Sequence, residues 1–190
     1  MKPTSITSLA FIITFCFSCS TPKFVTRDDS YQRINLDLNP AAIIIEDKRE
    51  NVAVSDDLKI PFFSKGGQYD MVAPPLDNNH ENIIRQTILD NLSSQSTKSV
   101  ILKAQVLEAR KEFSATFWYE KETSYVELKI TININGKEIE VIEAGEFYKK
   151  SADATYKRSD RIFDNALKEV TYRALKRLEK SAGIPKRAAL

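Results

Sequence analysis

Hydrophobic and polar positions alternate most regularly between residues 125 and 134. Val126, Leu128, Ile130, Ile132 and Ile134 fall on one side, and Tyr125, Glu127, Lys129, Thr131 and Asn133 on the other. A period of two puts successive side chains on opposite faces of a sheet, so this segment reads as a strand with one face buried. Asn135-Gly136 follows it. That pair suits a type I′ hairpin turn, in which both central residues need positive φ. Ile139 and Val141 open the return strand, which runs on towards Phe147 and Tyr148. Gly145 within it is expected to mark a bulge. Upstream, Val100, Leu102, Ala104 and Val106 alternate with Ile101, Lys103 and Gln105. The alternation slips at Val106-Leu107, which predicts a bulge or the strand's exit from the core. Ala41 to Ile45 is an apolar, Ile-rich run after Pro40 and reads as a buried strand.

Two segments carry the helical period instead. Ile84, Ile88 and Leu92, with Ile83 beside them, predict a short amphipathic helix over 80–92. Asp77-Asn78-Asn79 offers its N-cap, and Glu81 suits the positive end of its dipole. Phe163, Leu167, Val170, Ala174 and Leu178 form the buried stripe of a last helix, with Ser159 or Asp160 as cap. Lys168, Arg173, Lys176, Arg177 and Lys180 take its wet side, and Gly183 and Pro185 end it. Between the first strand and the first helix lies a long irregular stretch, Asn51 to Asn79. Loops of that length are usually functional or mobile. A sheet with one apolar face must be covered, and two amphipathic helices suffice. The expected fold is therefore α+β, a two-layer sandwich with an antiparallel sheet of about four strands covered by two helices.

The N-terminus follows a different pattern. Lys2 precedes an apolar run from Leu9 to Phe17, and the small Ser18 stands before Cys19. A positive start, an apolar core of about 7–15 residues and a small-residue exit make up a secretory signal peptide. The run is shorter than the about 20 residues a transmembrane helix needs. The box Cys16-Phe17-Ser18-Cys19 resembles bacterial lipoprotein signals. On that resemblance Cys19 is the lipidation site and the first mature residue. Ordinary cleavage after Ser20 is the alternative. Acyl chains contribute about 0.8 kcal/mol per buried CH₂, and more than one anchors a protein stably. The chain has 2 Cys, both in this segment. An exported domain without a disulfide must rely on its core. The domain reading is a signal peptide over 1–18, a polar tether over 19–38, a single α+β domain over 39–182 and a C-terminal tail over 183–190.

Composition adds little beyond foldability. The 190 residues are 42% hydrophobic and 28% charged, enough for a core. Net charge is +2, and loss of Lys2 lowers it by one, so the strongly basic face that nucleic acid requires is not indicated.

The order of elements resembles the YajG-type family of small bacterial outer-membrane lipoproteins. The resemblance rests on the signal ending at Cys19, the early strand closing on Asp47-Lys48-Arg49, and the helix over 83–92. It rests also on Val100 to Val106, Tyr125 to Ile134, Asn135-Gly136-Lys137 and a final helix with Asn165-Ala166-Leu167. It implies a lipid-anchored outer-membrane lipoprotein, facing the periplasm, of unassigned or accessory role; by analogy with related α+β lipoproteins, that role would be beside another envelope protein.

No set of residues points to catalysis, a cofactor or a metal. His80 is the only histidine and alone makes neither a triad nor a zinc site; it reads as a surface residue at a helix start. Gly66-Gly67-Gln68 reads as a turn. Glu46 and Asp47 close a strand, where a solvated or Arg49-paired role is expected. The remaining candidates are aromatic. Phe113, Phe117, Trp118 and Tyr119 cluster between two strands, and Phe62, Phe63 and Tyr69 lie in the long loop. Trp and Tyr are enriched at binding hot spots, and they also cap the open ends of small sheets. Two functions follow as expectations. One is a non-enzymatic interaction module with a membrane anchor and an envelope protein partner. The other is a small-ligand or glycan binder whose 51–79 loop closes over the sheet.

Overall fold

The regular alternation around Ile130 builds the centre of the sheet. In the computed structural model, which describes residues 33–56, 58–61, 66–93, 95–134, 136–152 and 154–183, it lies in β4 (Glu120–Ile134). β4 pairs antiparallel with β3 (Ser99–Ala115) on one side and β5 (Lys137–Ser151) on the other. A two-residue turn joins Ile134 to Lys137, and its Gly136 has φ 77°, as the Asn-Gly pair requires. β1 (Asn39–Asp47) and β2 (Tyr69–Val72) share the other edge of β3. β1 covers Ser99 to Val106, and β2 covers Lys111 to Ser114. Helices α1 (Asn78–Asp90) and α2 (Tyr156–Ala182) form the second layer.

The α+β two-layer arrangement is the expected one, but the sheet is mixed rather than wholly antiparallel. β1 runs parallel to β3, from Asn39↔Ser99 to Asp47↔Val106. Parallel neighbours need a crossover of about a dozen or more residues. The segment carrying β2 and α1 supplies it. β2 is the fifth strand of the sheet.

Leu107 is the expected bulge: the register with β4 shifts between Val106 and Glu108. The strand does not leave the core there. It continues to Ala115 with the opposite parity, so Ala109, Lys111, Phe113 and Ala115 turn inward. Gly145 is no bulge, because the β4–β5 ladder is unbroken from Glu120↔Ser151 to Ile134↔Lys137. A Cβ there would stand 2.7 Å from Cε2 of Phe147 and 3.2 Å from Cγ2 of Val170. The missing side chain makes room for the Phe147 ring under α2.

The core is built from the residues the periodicities select. Leu102, Ala104 and Val106 of β3 and Val126, Leu128 and Ile130 of β4 are fully buried against Phe163, Leu167, Val170 and Ala174 of α2 and Ile84 and Ile88 of α1. α1 begins after Asp77, whose side chain accepts from the His80 backbone N–H at 2.8 Å while His80 Nδ1 accepts from Asp77 N–H at 3.2 Å. α2 begins at Tyr156, earlier than Ser159 or Asp160 would place it. Its cap residue Thr155 makes no side-chain capping bond. The carboxylates of Glu120 and Glu122 on β4 accept from Ala154 N–H and Thr155 N–H instead. Negative charge at this end also suits the helix dipole. Gly183 ends α2 in the left-handed conformation, as expected, at φ 59°.

The domain starts earlier than the polar composition of 19–38 implies. Ile34, Leu36 and Leu38 are buried in the main core. Leu36 N–H donates to Asn91 O at 2.9 Å, and Ser93 N–H donates to Leu36 O at 2.8 Å. The folded core therefore begins by Ile34.

Candidate functional site

Tyr69 of the long loop and the Phe113–Tyr119 cluster come together at one end of the sheet. β3 and β4 extend beyond the main core as a hairpin whose turn is Thr116 to Tyr119. The Thr116 hydroxyl oxygen accepts from Trp118 N–H at 3.3 Å and Tyr119 N–H at 3.1 Å. Thr116 N–H donates to Tyr119 O at 2.8 Å. This holds Phe117 and Trp118 at the apex, 82% and 83% exposed, with their rings edge to face at 5.0 Å. Tyr119 is half-exposed, and Lys150 Nζ lies 4.6 Å from its ring centroid. β2 brings the long loop alongside: Tyr69 pairs with Ser114 and Met71 with Glu112, and both side chains are exposed. Gly66-Gly67 is the expected turn. Gly67 N–H donates to Ala115 O at 2.8 Å, and a Cβ on Gly66 would stand 3.2 Å from Phe117 N.

Phe113 takes the core alternative. It is 1% exposed and forms a second, small core with Leu58 and Ala115. Phe62, Phe63 and Cys19 lie outside the described residues.

A cavity of about 580 Å³ opens between the loop and the hairpin. Phe113, Tyr69, Tyr156, Lys59 and Asp70 are among its lining residues. Asp70 Oδ2 accepts from Lys59 N–H at 2.6 Å, and Tyr156 Oη accepts from Ile60 N–H at 3.3 Å. These bonds pin the loop to β2 and to the start of α2.

Behind the cavity the inner face of the hairpin turns polar, which the sequence reading missed. Lys111 is 2% exposed, and its Nζ reaches the carboxylates of Asp56 and, at 2.8 Å, Asp160. The Nζ also stands 5.6 Å from the Phe163 ring centroid. Glu122 is fully buried and pairs with Arg158. Burial pushes its pKa up despite the bonds from Arg158 and Thr155 N–H. The signal for this cluster was the parity shift at Leu107, which moves Lys111 to an inward position.

His80 is buried, not a surface residue. Its ring lies edge to face on Phe163 at 5.1 Å, and Nε2 stands 3.7 Å from Asp164 Oδ1. The α1–α2 contact and the capping box together draw it in. Asp47 pairs with Arg49, as expected. Arg49 Nε donates to Asp47 Oδ1 at 2.8 Å, and Nη1 donates to Ala109 O at 3.0 Å. Among the described residues no group of three or more His, Cys, Asp and Glu side chains is placed to hold a metal, and no helix is long and apolar enough to cross a membrane.

No protein-family model matches the chain, and no curated protein sequence matches it. Some solved structures are similar to it at a low level. A Xanthomonas campestris protein of family DUF330 has a TM-score of 0.43 and 12% identity, covering 80% of this chain and 91% of that chain. An uncharacterized protein has a TM-score of 0.37 and 14% identity over 78% of this chain and 96% of its own. Rare lipoprotein B from Shewanella oneidensis has a TM-score of 0.32 and 11% identity over 75% of this chain and 93% of its own.

Proposed function

We propose that the chain is a lipid-anchored lipoprotein of the bacterial outer membrane, facing the periplasm, and a non-catalytic docking module for another envelope protein. The observation that supports this reading is the Phe117–Trp118 pair, more than four-fifths exposed and held by backbone bonds at the apex of a long hairpin. Exposed aromatics of this kind are the usual anchors of protein interfaces. The address rests on the signal pattern and Cys19. Trp118→Ala tests the docking: the protein stays folded and loses co-purification with its partner after crosslinking in intact cells. Co-purification unchanged by that substitution refutes it. Cys19→Ser tests the address, since the variant leaves the membrane fraction, and an unchanged distribution refutes lipidation.

A second reading, a small-ligand or glycan binder, is favoured by the cavity of about 580 Å³ with Tyr69 and Tyr156 on its wall. Its volume lies in the range of small-molecule sites, about 300–1,000 Å³. Tyr69→Ala with unchanged binding of a peptidoglycan disaccharide, measured by calorimetry, counts against it.

A further inference from the structure

Building on the reading of an anchored docking module, we infer that the docking end points away from the bilayer that holds the lipid and takes an acidic protein surface.

The direction follows from the strand register. The described chain begins at Arg33, Leu36 bridges Leu92, and Asn39 pairs with Ser99 at the very start of β3. Phe117 and Trp118 follow Ala115, the last residue of the same strand. β3 has 17 residues. At about 3.3 Å per residue its ends stand roughly 50 Å apart. α2 runs back along the sheet, from Tyr156 beside Glu122 to its end at Ala182, and stiffens the rod. The described chain therefore enters at one end of this rod, and the aromatic apex stands at the other.

The partner's chemistry follows from charge. Among the described residues, Glu120 and Glu122 cap α2, Glu112 pairs with Arg110, Asp56 and Asp160 pair with Lys111, Asp70 accepts from Lys59 N–H, and Glu146 faces Lys121 at 3.4 Å. Apart from Lys111 and Arg158, which pair with acids, several cations of this end are turned outward. Lys59, Lys149 and Lys150 are exposed near the apex, and Lys157 at the start of α2; none of them has an ion pair among the described residues. Aromatic side chains ringed by unneutralised lysines complement an acidic surface that has apolar recesses. Complementary charge of this kind raises the association rate and selects the partner. Anionic lipid headgroups share the same charge. The separation of chain entry and apex along β3 favours a protein over the anchoring bilayer.

The test uses the lipidated full chain. A photoreactive phenylalanine analogue is placed at position 117 in one protein and at position 138 in another, and both are irradiated in intact cells. Position 138 is exposed and lies in the β4–β5 hairpin, at the end where the described chain enters. A discrete protein adduct is expected from 117 and none from 138. Lys149→Glu with Lys150→Glu is expected to reduce the 117 adduct by about tenfold, as loss of complementary charge slows association. Both lysines are exposed, so the fold survives, and an unchanged melting temperature verifies it. In parallel, the wild-type chain is seated by its own lipid in phosphatidylethanolamine–phosphatidylglycerol vesicles containing brominated lipid. The chain has 1 Trp, so its emission reports the apex directly. Unquenched, water-exposed emission is the expected result, and quenching assigns the apex to the bilayer and overturns the proposal. No adduct from 117, equal adducts from both positions, or no effect of the lysine reversals also overturns it. Membrane fractionation of Cys19→Ser separates a failure of the anchor from a failure of the docking end.

Discussion

Lys111 Nζ lies 2.8 Å from Asp160 Oδ1, and the ammonium, not the carboxylate, is the group sealed from water: the two side chains are 2% and 55% exposed. Asp56, the second partner, is 38% exposed. This asymmetry decides which substitution hurts. Without Lys111, both acids can hydrate. Without the acids, a buried ammonium stands uncompensated. Lys111→Met is expected to cost less than about 1.5 kcal/mol, because the stem is replaced by an apolar chain of similar volume. Asp56→Asn with Asp160→Asn is expected to cost about 3–5 kcal/mol. Urea denaturation of the variants gives the comparison, and the reverse order refutes this account.

The aromatic cluster divides by burial. Phe113→Ala opens the small core shared with Leu58 and Ala115. Its expected cost is about 3–5 kcal/mol. Trp118→Ala removes an exposed ring and is expected to stay within about 0.5 kcal/mol of wild type. Equal thermal destabilisation by the two would place Trp118 in the fold rather than on its surface.

The main core was legible in the sequence because the residues of β4 and α2 keep their periods without interruption. Val126 to Ile132 and Phe163 to Leu178 occupy the buried positions their spacing assigns. The hairpin end was not legible, for a physical reason. The bulge at Leu107 flips the parity of β3, and the inward positions beyond it include the charged Lys111, while Glu120 and Glu122 do the same on β4. Burial of charge beside a helix N-terminus depends on tertiary partners that local pattern does not contain. β2 was hidden likewise, since its pairing with β3 is long-range.

Gly145 separates a packing requirement from a backbone one. Its φ lies outside the left-handed region, so backbone strain is not at issue. An added methyl would meet the Phe147 ring at 2.7 Å and Val170 at 3.2 Å. Gly145→Ala is expected to destabilise by about 1–3 kcal/mol, as overpacking does. Pairing it with Phe147→Leu should recover part of the loss. Additive losses in that double-mutant cycle would disprove the contact.

Leu36 tests where the domain begins. It is fully buried, and its backbone N–H and C=O both bond to the end of α1 and the residues after it. Leu36→Ala is expected to cost about 2–5 kcal/mol. A tether residue would show no change in denaturant midpoint.

Acid sensitivity is expected to have a named contributor on the open face of the sheet. Glu46 is held at about 2, against an ordinary 4.5, by hydrogen bonds from Gln105, Lys103 and Lys48. The first two tie β1 to β3 across their parallel pairing. Asp47 beside it is also lowered: burial pushes it up, but the hydrogen bonds from the Arg49 side chain and backbone outweigh that. A carboxylate lowered in the folded state contributes its full stability above its unfolded pKa and loses it as pH falls through the folded one. For Glu46 that window runs from about 4.5 down to about 2. Glu122 and Asp164, both raised by burial, act in the opposite sense and gain stability on acidification. The total acid limb is therefore a difference of terms, and only a variant isolates one. The melting temperature of wild type should exceed that of Glu46→Gln at neutral pH, and the gap should close between about pH 4.5 and about pH 2. A gap that is constant over that range, or that widens on acidification, shows that the Glu46 bonds do not hold β1 against β3.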